Sequence, residues 1–303
     1  MGITYIAPLK RGLIRMKQAL FSPFDIGKWF TVGFTVFLAD IINTHNGGGG
    51  GYSHIRERAH MGWDEFREIP ETAVEWFADN PIWFAVCVIG LLVILAIVLA
   101  LIWLSSRGKF MFLYNVANDE SQVSKPWSEY GREADSLFRW RVVFGLICLI
   151  PVALLIGFGI HVAIEISGAY YPTALSILGI VSLVTLGFTL FVGIAFIDLF
   201  LNDFVVPIMY RERVHATDAW TRFLSLFSRH PWHFILYGLM VFFLRFAVSV
   251  CLFVVGLFTC CIGFLFLAIP YIGSVITLPI AYTYRAFSLE YLEQFGPEYK
   301  IFK

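Results

Sequence analysis

Charged residues are scarce: Asp, Glu, Lys and Arg make up 15% of the 303 residues, where soluble domains carry about 25%. They are absent altogether from 82–104, a run of 23 residues. A soluble enzyme or a disordered chain tolerates no such run, and both are excluded. Lys and Arg number 22 and so do Asp and Glu, so no net field points to nucleic acid, which is excluded as a partner. Catalytic constellations are also missing. No Ser-His-Asp set, HExxH or paired helical HxxxH occurs, and we expect no enzymatic activity, no metal and no cofactor. The glycine run 47–51 has no strand before it and no Lys-Ser/Thr after it, so it is a linker and not a phosphate loop. Five cysteines build no disulfide framework. Cys87, Cys148 and Cys251 sit in apolar runs as small packing residues, and the vicinal Cys260 and Cys261 read as two packing thiols. Residues 1–23 lack an apolar core followed by a small-residue cleavage site, so no cleavable signal is expected.

What is abundant is apolar: 58% of the chain, with Phe 31, Tyr 13 and Trp 9. A membrane span needs about 20 apolar residues, and six candidates emerge. They are 27–42 (interrupted by Lys28 and Asp40), 82–104, 142–166, 174–197, 231–258 and 262–284. Basic residues alternate between the connecting segments. Residues 1–28 carry five Lys or Arg, the outer loop 43–81 three among seven acids, 105–141 six, 198–230 four and the C-terminal segment three. The short turns near 167–173 and 259–261 carry none. The positive-inside rule then places both termini in the cytoplasm of a prokaryotic plasma (inner) membrane. The expected fold is a single all-α, multi-pass membrane domain over 1–303.

A unit recurs within it. Before the fifth span, Trp220, Phe223, Leu224 and Phe227 fall on one helical stripe. Before the third, Trp127, Tyr130, Ala134 and Phe138 do the same, and before the first, Leu9, Leu13, Met16 and Leu20. Trp127 to Gly145 and Trp220 to Gly238 are both 18 residues apart, and each glycine precedes a Leu. This reads as three parallel copies of an interfacial helix plus a transmembrane hairpin, about 9–104, 125–197 and 215–284. Parallel copies differ from the inverted pair of many secondary transporters. The alternative is three unrelated short helices that happen to precede spans.

The run from Phe204 through Pro207 to Glu212, then Ala216, Asp218, Ala219 and Trp220, then Phe223, Ser225 and Phe227, then Trp232, resembles a family signature. It is similar to that of a loosely related group of uncharacterised six-helix prokaryotic membrane proteins. That group is itself similar to the membrane domain fused to some glycerophosphodiester phosphodiesterases. The resemblance covers about 200–240 and is structural. No phosphodiesterase domain is present here, so that activity is not implied.

Few polar groups fall inside the spans. Arg245 lies about 21 Å along the fifth span from Pro231, where a guanidinium costs roughly 2.5–3.5 kcal/mol and should face a partner. Asp40 lies about 18 Å along the first span from Lys28. We expect an intramembrane Arg245–Asp40 ion pair that fixes span packing, with a substrate or proton site as the functional alternative. His161 and Glu165 share a helix face near the outer end of the third span, and a hydrogen-bonded polar outer site is expected there. Asp198, Asn202 and Asp203 follow the fourth span and are explained by helix ends at the inner interface. Lys10, Arg11, Arg15 and Lys17 on the N-terminal helix should contact anionic lipid. Trp63, Phe66, Trp76 and Phe77 alternate with acids in the outer loop, as a surface for the membrane or for a partner.

Together these features favour a non-enzymatic scaffold or accessory subunit of a larger membrane complex, with lipids and other membrane subunits as partners. The alternative is a small transporter or permease for a lipid-like or amphipathic substrate. It would need a central polar cavity, with helix unwinding at Pro151, Pro207, Pro270 or Pro279.

Overall fold

The computed structural model describes residues 3–42, 76, 78–168, 174–259 and 262–302. Among these every regular element is helical, with no strand. Four helices are long and apolar enough to cross a membrane: Pro81–Asn118, Gly131–Ile166, Ala174–Glu212 and Pro231–Phe258. The expected spans 82–104, 142–166, 174–197 and 231–258 all lie on them.

The elements run as α1 (Ile6–Phe21), α2 (Ile26–Asp40), α3 (Pro81–Asn118), α4 (Ser124–Glu129), α5 (Gly131–Gly168) and α6 (Ala174–Phe200). A π-turn, Leu201–Val205, joins α6 to α7 (Val206–Glu212). Then come α8 (Ala216–Arg229), α9 (Pro231–Phe258), α10 (Ile262–Ala268), α11 (Pro270–Ile276) and α12 (Leu278–Leu292).

The first and last expected spans take a different form from the other four. α2 has 15 residues, about 22 Å of helix. The region 262–292 is cut into α10, α11 and α12. Proline lacks the N–H that continues a helix and pushes its predecessor to extended backbone. Ile269, before Pro270, accordingly sits at φ −77°, ψ 113°, and Pro279 lies in the first turn of α12. Pro151, by contrast, stays inside the continuous α5.

The chain divides into two compact units. The first holds Met1–Thr44, Ile102–Arg141 and Ala195–Lys303. Its core is aromatic: Phe204, Phe223, Phe234, Tyr237 and Tyr291 are all fully buried. Phe204 stacks on Phe223 at 5.4 Å and meets Phe234 edge-on at 5.0 Å, while Tyr237 lies 4.6 Å from Tyr291. Around this core α1 packs along α12 and α2 packs on α11. Both approaches need glycine. A Cβ on Gly12 would lie 3.0 Å from the Phe287 backbone N, and one on Gly33 2.6 Å from a Val275 methyl.

The amphipathic helices form where their stripes place them, but the buried faces are rotated. α8 buries Ala216, Ala219, Phe223 and Leu226 and leaves Leu224 exposed. α1 buries Pro8, Gly12, Ala19 and Leu20, with Leu13 exposed. Small residues set these faces, because they let the helix backbones come close. The middle stripe differs again. No proline separates it from its span, so after a break at Tyr130 it runs on into α5.

The second unit holds His45–Leu101 and Val142–Ile194. Here α5 and α6 meet at small residues: a Cβ on Gly179 would lie 3.0 Å from Val162, and one on Gly187 3.4 Å from Leu155. Cys87 and Cys148 are free thiols in this unit, as Cys251 is in the first. Cys260, Cys261 and the glycine run 47–51 lie outside the described residues.

Candidate functional site

Asn202 sits where the long apolar helix α6 stops being an ordinary α-helix. In the π-turn the Val206 N–H reaches back five residues to the Leu201 carbonyl. The next such bond would run from residue 207 to the Asn202 carbonyl, but Pro207 has no N–H to give. Arg285 of α12 fills the vacancy, its Nη1 donating to the Asn202 carbonyl at 2.6 Å. The Asn202 side chain is also engaged at both ends. Its Oδ1 accepts from Lys109 Nζ of α3, and its Nδ2 donates to the Asp198 carbonyl at 2.8 Å. One residue therefore ties α3, α6 and α12 together and holds two cations in place.

Beside this hub lies a cavity of about 580 Å³ within the first unit, a size typical of small-molecule sites. Three carboxylates, Asp40, Asp198 and Asp203, and three cations, Lys109, Arg245 and Arg285, line it. Lys109, Asp203 and Arg285 are all buried. Tyr237, itself fully buried, donates its hydroxyl to Asp203 Oδ2 at 3.0 Å. Arg245 stands 5.8 Å from the centre of the Tyr284 ring, within cation–π range, and within electrostatic reach of Asp203. Pro270, Gly273, Ser274 and Thr277 of the broken segment supply another wall.

The structure thus brings Asp40 and Arg245 to one cavity. It adds Lys109, Asp198, Asn202, Asp203 and Arg285, which sequence reasoning left at interfaces or did not single out. Each is a polar residue in an apolar stretch just beyond the assigned end of a span. For Lys109, Asp198, Asn202 and Asp203 that signal was present, but a span cut at about 20 residues discards it when the helix itself runs on for 38 or 39 residues.

The remaining candidates lie elsewhere. Arg11 and Arg15 of α1 both grip the buried Glu290, at 2.6 Å each, and Arg15 also covers the Phe302 ring at 3.8 Å. Lys10 and Lys17 are exposed. His161 and Glu165 are both exposed in the second unit. Among the described residues no group of three or more His, Cys, Asp or Glu is placed to hold a metal. Trp76 is helical and half-exposed, whereas Trp63, Phe66 and Phe77 lie outside the described residues.

No curated protein and no solved structure matches the chain. A family model, the family of unknown function DUF7544, matches residues 7–300. With nearly its whole length covered, the chain belongs to the DUF7544 family.

Proposed function

We propose that this is a non-enzymatic, multi-pass protein of a prokaryotic plasma membrane that takes the polar head of an amphipathic ligand into its charged cavity, in the manner of a small lipid-handling permease. The observation that carries the reading is the cavity itself: six ionisable side chains of both signs around about 580 Å³, beside helices broken at Pro270 and Pro279. Charges at such depth are costly, and they cluster where substrates or ions pass. In this proposal α2 and the broken α10–α12 segment complete six membrane crossings, with both termini cytoplasmic, and the hairpins derive from three parallel repeats. The order of residues around Pro207, Trp220 and Trp232, which resembles that signature, supports kinship with the membrane domain fused to some glycerophosphodiester phosphodiesterases. An Arg245–Asp40 pairing would form one wall of the site.

The accessory-subunit reading is kept as a second proposal because the spans bury little against their own chain. The most apolar 18-residue windows of α3, α5 and α6 bury none of their residues, and that of α9 buries 11%. Lipid or partner helices must cover them. Purification in a native-lipid disc, followed by extraction and mass spectrometry, separates the two proposals. The ligand-binding reading predicts a stoichiometric amphipath that is lost from Arg245→Gln. Recovery in a defined larger complex, with no retained amphipath in either protein, would overturn it in favour of the accessory role.

A further inference from the structure

We infer that the head accepted by this cavity is anionic, a phosphate or carboxylate held by Arg245, Tyr284 and Arg285. The inference rests on the ligand-binding reading above and names its substrate class.

Donors left without acceptors lead to it. Arg285 is only 8% exposed and lines the cavity. Its Nη1 is committed to the Asn202 carbonyl at 2.6 Å, but its Nε is buried with no hydrogen-bond partner among the described residues. The hydroxyl of Tyr284, on the same wall, is in the same condition. The centre of the Tyr284 ring lies 5.8 Å from the Arg245 guanidinium of α9, which makes no hydrogen bond or ion pair among the described residues. Arg245 is exposed, so the site stays open to an entering group. Buried polar groups are nearly always satisfied, and a guanidinium carries five N–H donors. Three donor side chains thus line one cavity from α9 and α12 with bonds left to make. Asp203 does not take them up. Its Oδ2 accepts from Tyr237 at 3.0 Å, and among the described residues neither arginine bonds to it, although both lie within electrostatic reach.

Charge points the same way. Four cations, Lys109, Arg141, Arg245 and Arg285, share one electrostatic network with three carboxylates, Asp40, Asp198 and Asp203. Arg285 reaches Asp40 as well as Asp203, and Arg141 reaches both Asp40 and Asp198, so no acid is reserved for one partner. The formal balance is one positive charge in excess, and unbalanced charge is costly where the groups are buried, as Lys109 and Arg285 are. A monoanionic head cancels the excess. An uncharged or zwitterionic head leaves it in place, and a cationic head enlarges it. Water can satisfy a lone donor but brings no charge.

The test uses the full chain in discs that mix phosphatidylglycerol, phosphatidylcholine and diacylglycerol with matched acyl chains, reading retained lipid by native mass spectrometry. The wild type is expected to retain phosphatidylglycerol over both others. Tyr284→Phe deletes only the unpartnered hydroxyl and keeps the ring beside Arg245. It should lower that preference by on the order of tenfold, the worth of one hydrogen bond to a charged group, without lowering the thermal midpoint in phosphatidylcholine discs. A lipid held by the exposed Lys10 and Lys17 would not respond to it. Arg245→Gln should lower the preference the same way, so the inference does not hang on one variant's folding. Equal retention of the three lipids by the wild type, or a preference unmoved in both variants, overturns the anion while leaving lipid binding in place. Retention of no lipid above the bulk composition overturns the ligand-binding reading instead. Inorganic phosphate added to phosphatidylcholine discs then decides the anion by itself. A midpoint raised in the wild type but not in Tyr284→Phe upholds it, with a free anion as its source, and no shift in either overturns it too.

Discussion

Gly108 and Gly145 both lie in long apolar helices, yet alanine should affect them in opposite ways. A Cβ on Gly108 would fall 2.4 Å from the Ala39 backbone N, where no side chain can swing aside. Next to it Ser105 Oγ donates to the Ala39 carbonyl at 2.7 Å. Gly108→Ala should therefore cost about 1–3 kcal/mol, read as a lower thermal midpoint in detergent. Nothing lies within 4 Å of a Cβ on Gly145, so Gly145→Ala should be neutral or gain up to about 1 kcal/mol from helix propensity. An equal loss in both variants would contradict the α2–α3 approach. Asn202→Ala strands the buried Lys109 ammonium and should cost about 1–3 kcal/mol in the same assay. At this scale the sequence was only partly legible. Arg245 and Asp40 stood out by depth along their spans. Asn202 did not, because its role comes from a π-turn and a missing Pro207 N–H, neither of which leaves a mark in hydropathy.

Among the elements, α1 is held by one buried carboxylate. Glu290 has a side chain only 3% exposed and receives both Arg11 and Arg15. Glu290→Gln leaves two arginines, themselves half-exposed, without a counter-charge, so the cost is a discounted share of a buried-pair loss, about 1–3 kcal/mol. Hydrogen exchange in 6–21 should accelerate in that variant while the core of α9 stays protected, and unchanged exchange in α1 would contradict the clamp. With two arginines committed to Glu290, the anionic-lipid contact expected of α1 falls mainly to Lys10 and Lys17. Lys10→Gln with Lys17→Gln should lower anionic-lipid retention more than Arg11→Gln does; the reverse order would refute that division. The amphipathic helices were legible because their periodicity is local. Their buried faces were less so, since Gly12 and Ala219 count for little on a hydropathy scale but fix how closely two helices approach.

For the whole molecule, composition alone identified an all-helical membrane chain, because runs such as 82–104 have no soluble alternative. Helix continuity was harder to read. Proline breaks the last segment but leaves α5 whole. The central claim is that a chain embedded in lipid keeps a hydrated, charged cavity at the level of its spans. Ser249 is exposed and lines that cavity, while Phe246, one turn earlier, is exposed and absent from the lining. The most direct measurement introduces Ser249→Cys or Phe246→Cys into a chain whose own five cysteines are replaced, in lipid discs, and follows labelling by a water-soluble maleimide. A thiol reacts through its thiolate, which requires water. Labelling at 249 well above that at 246 is the expected result; protection of both positions would contradict a hydrated cavity there.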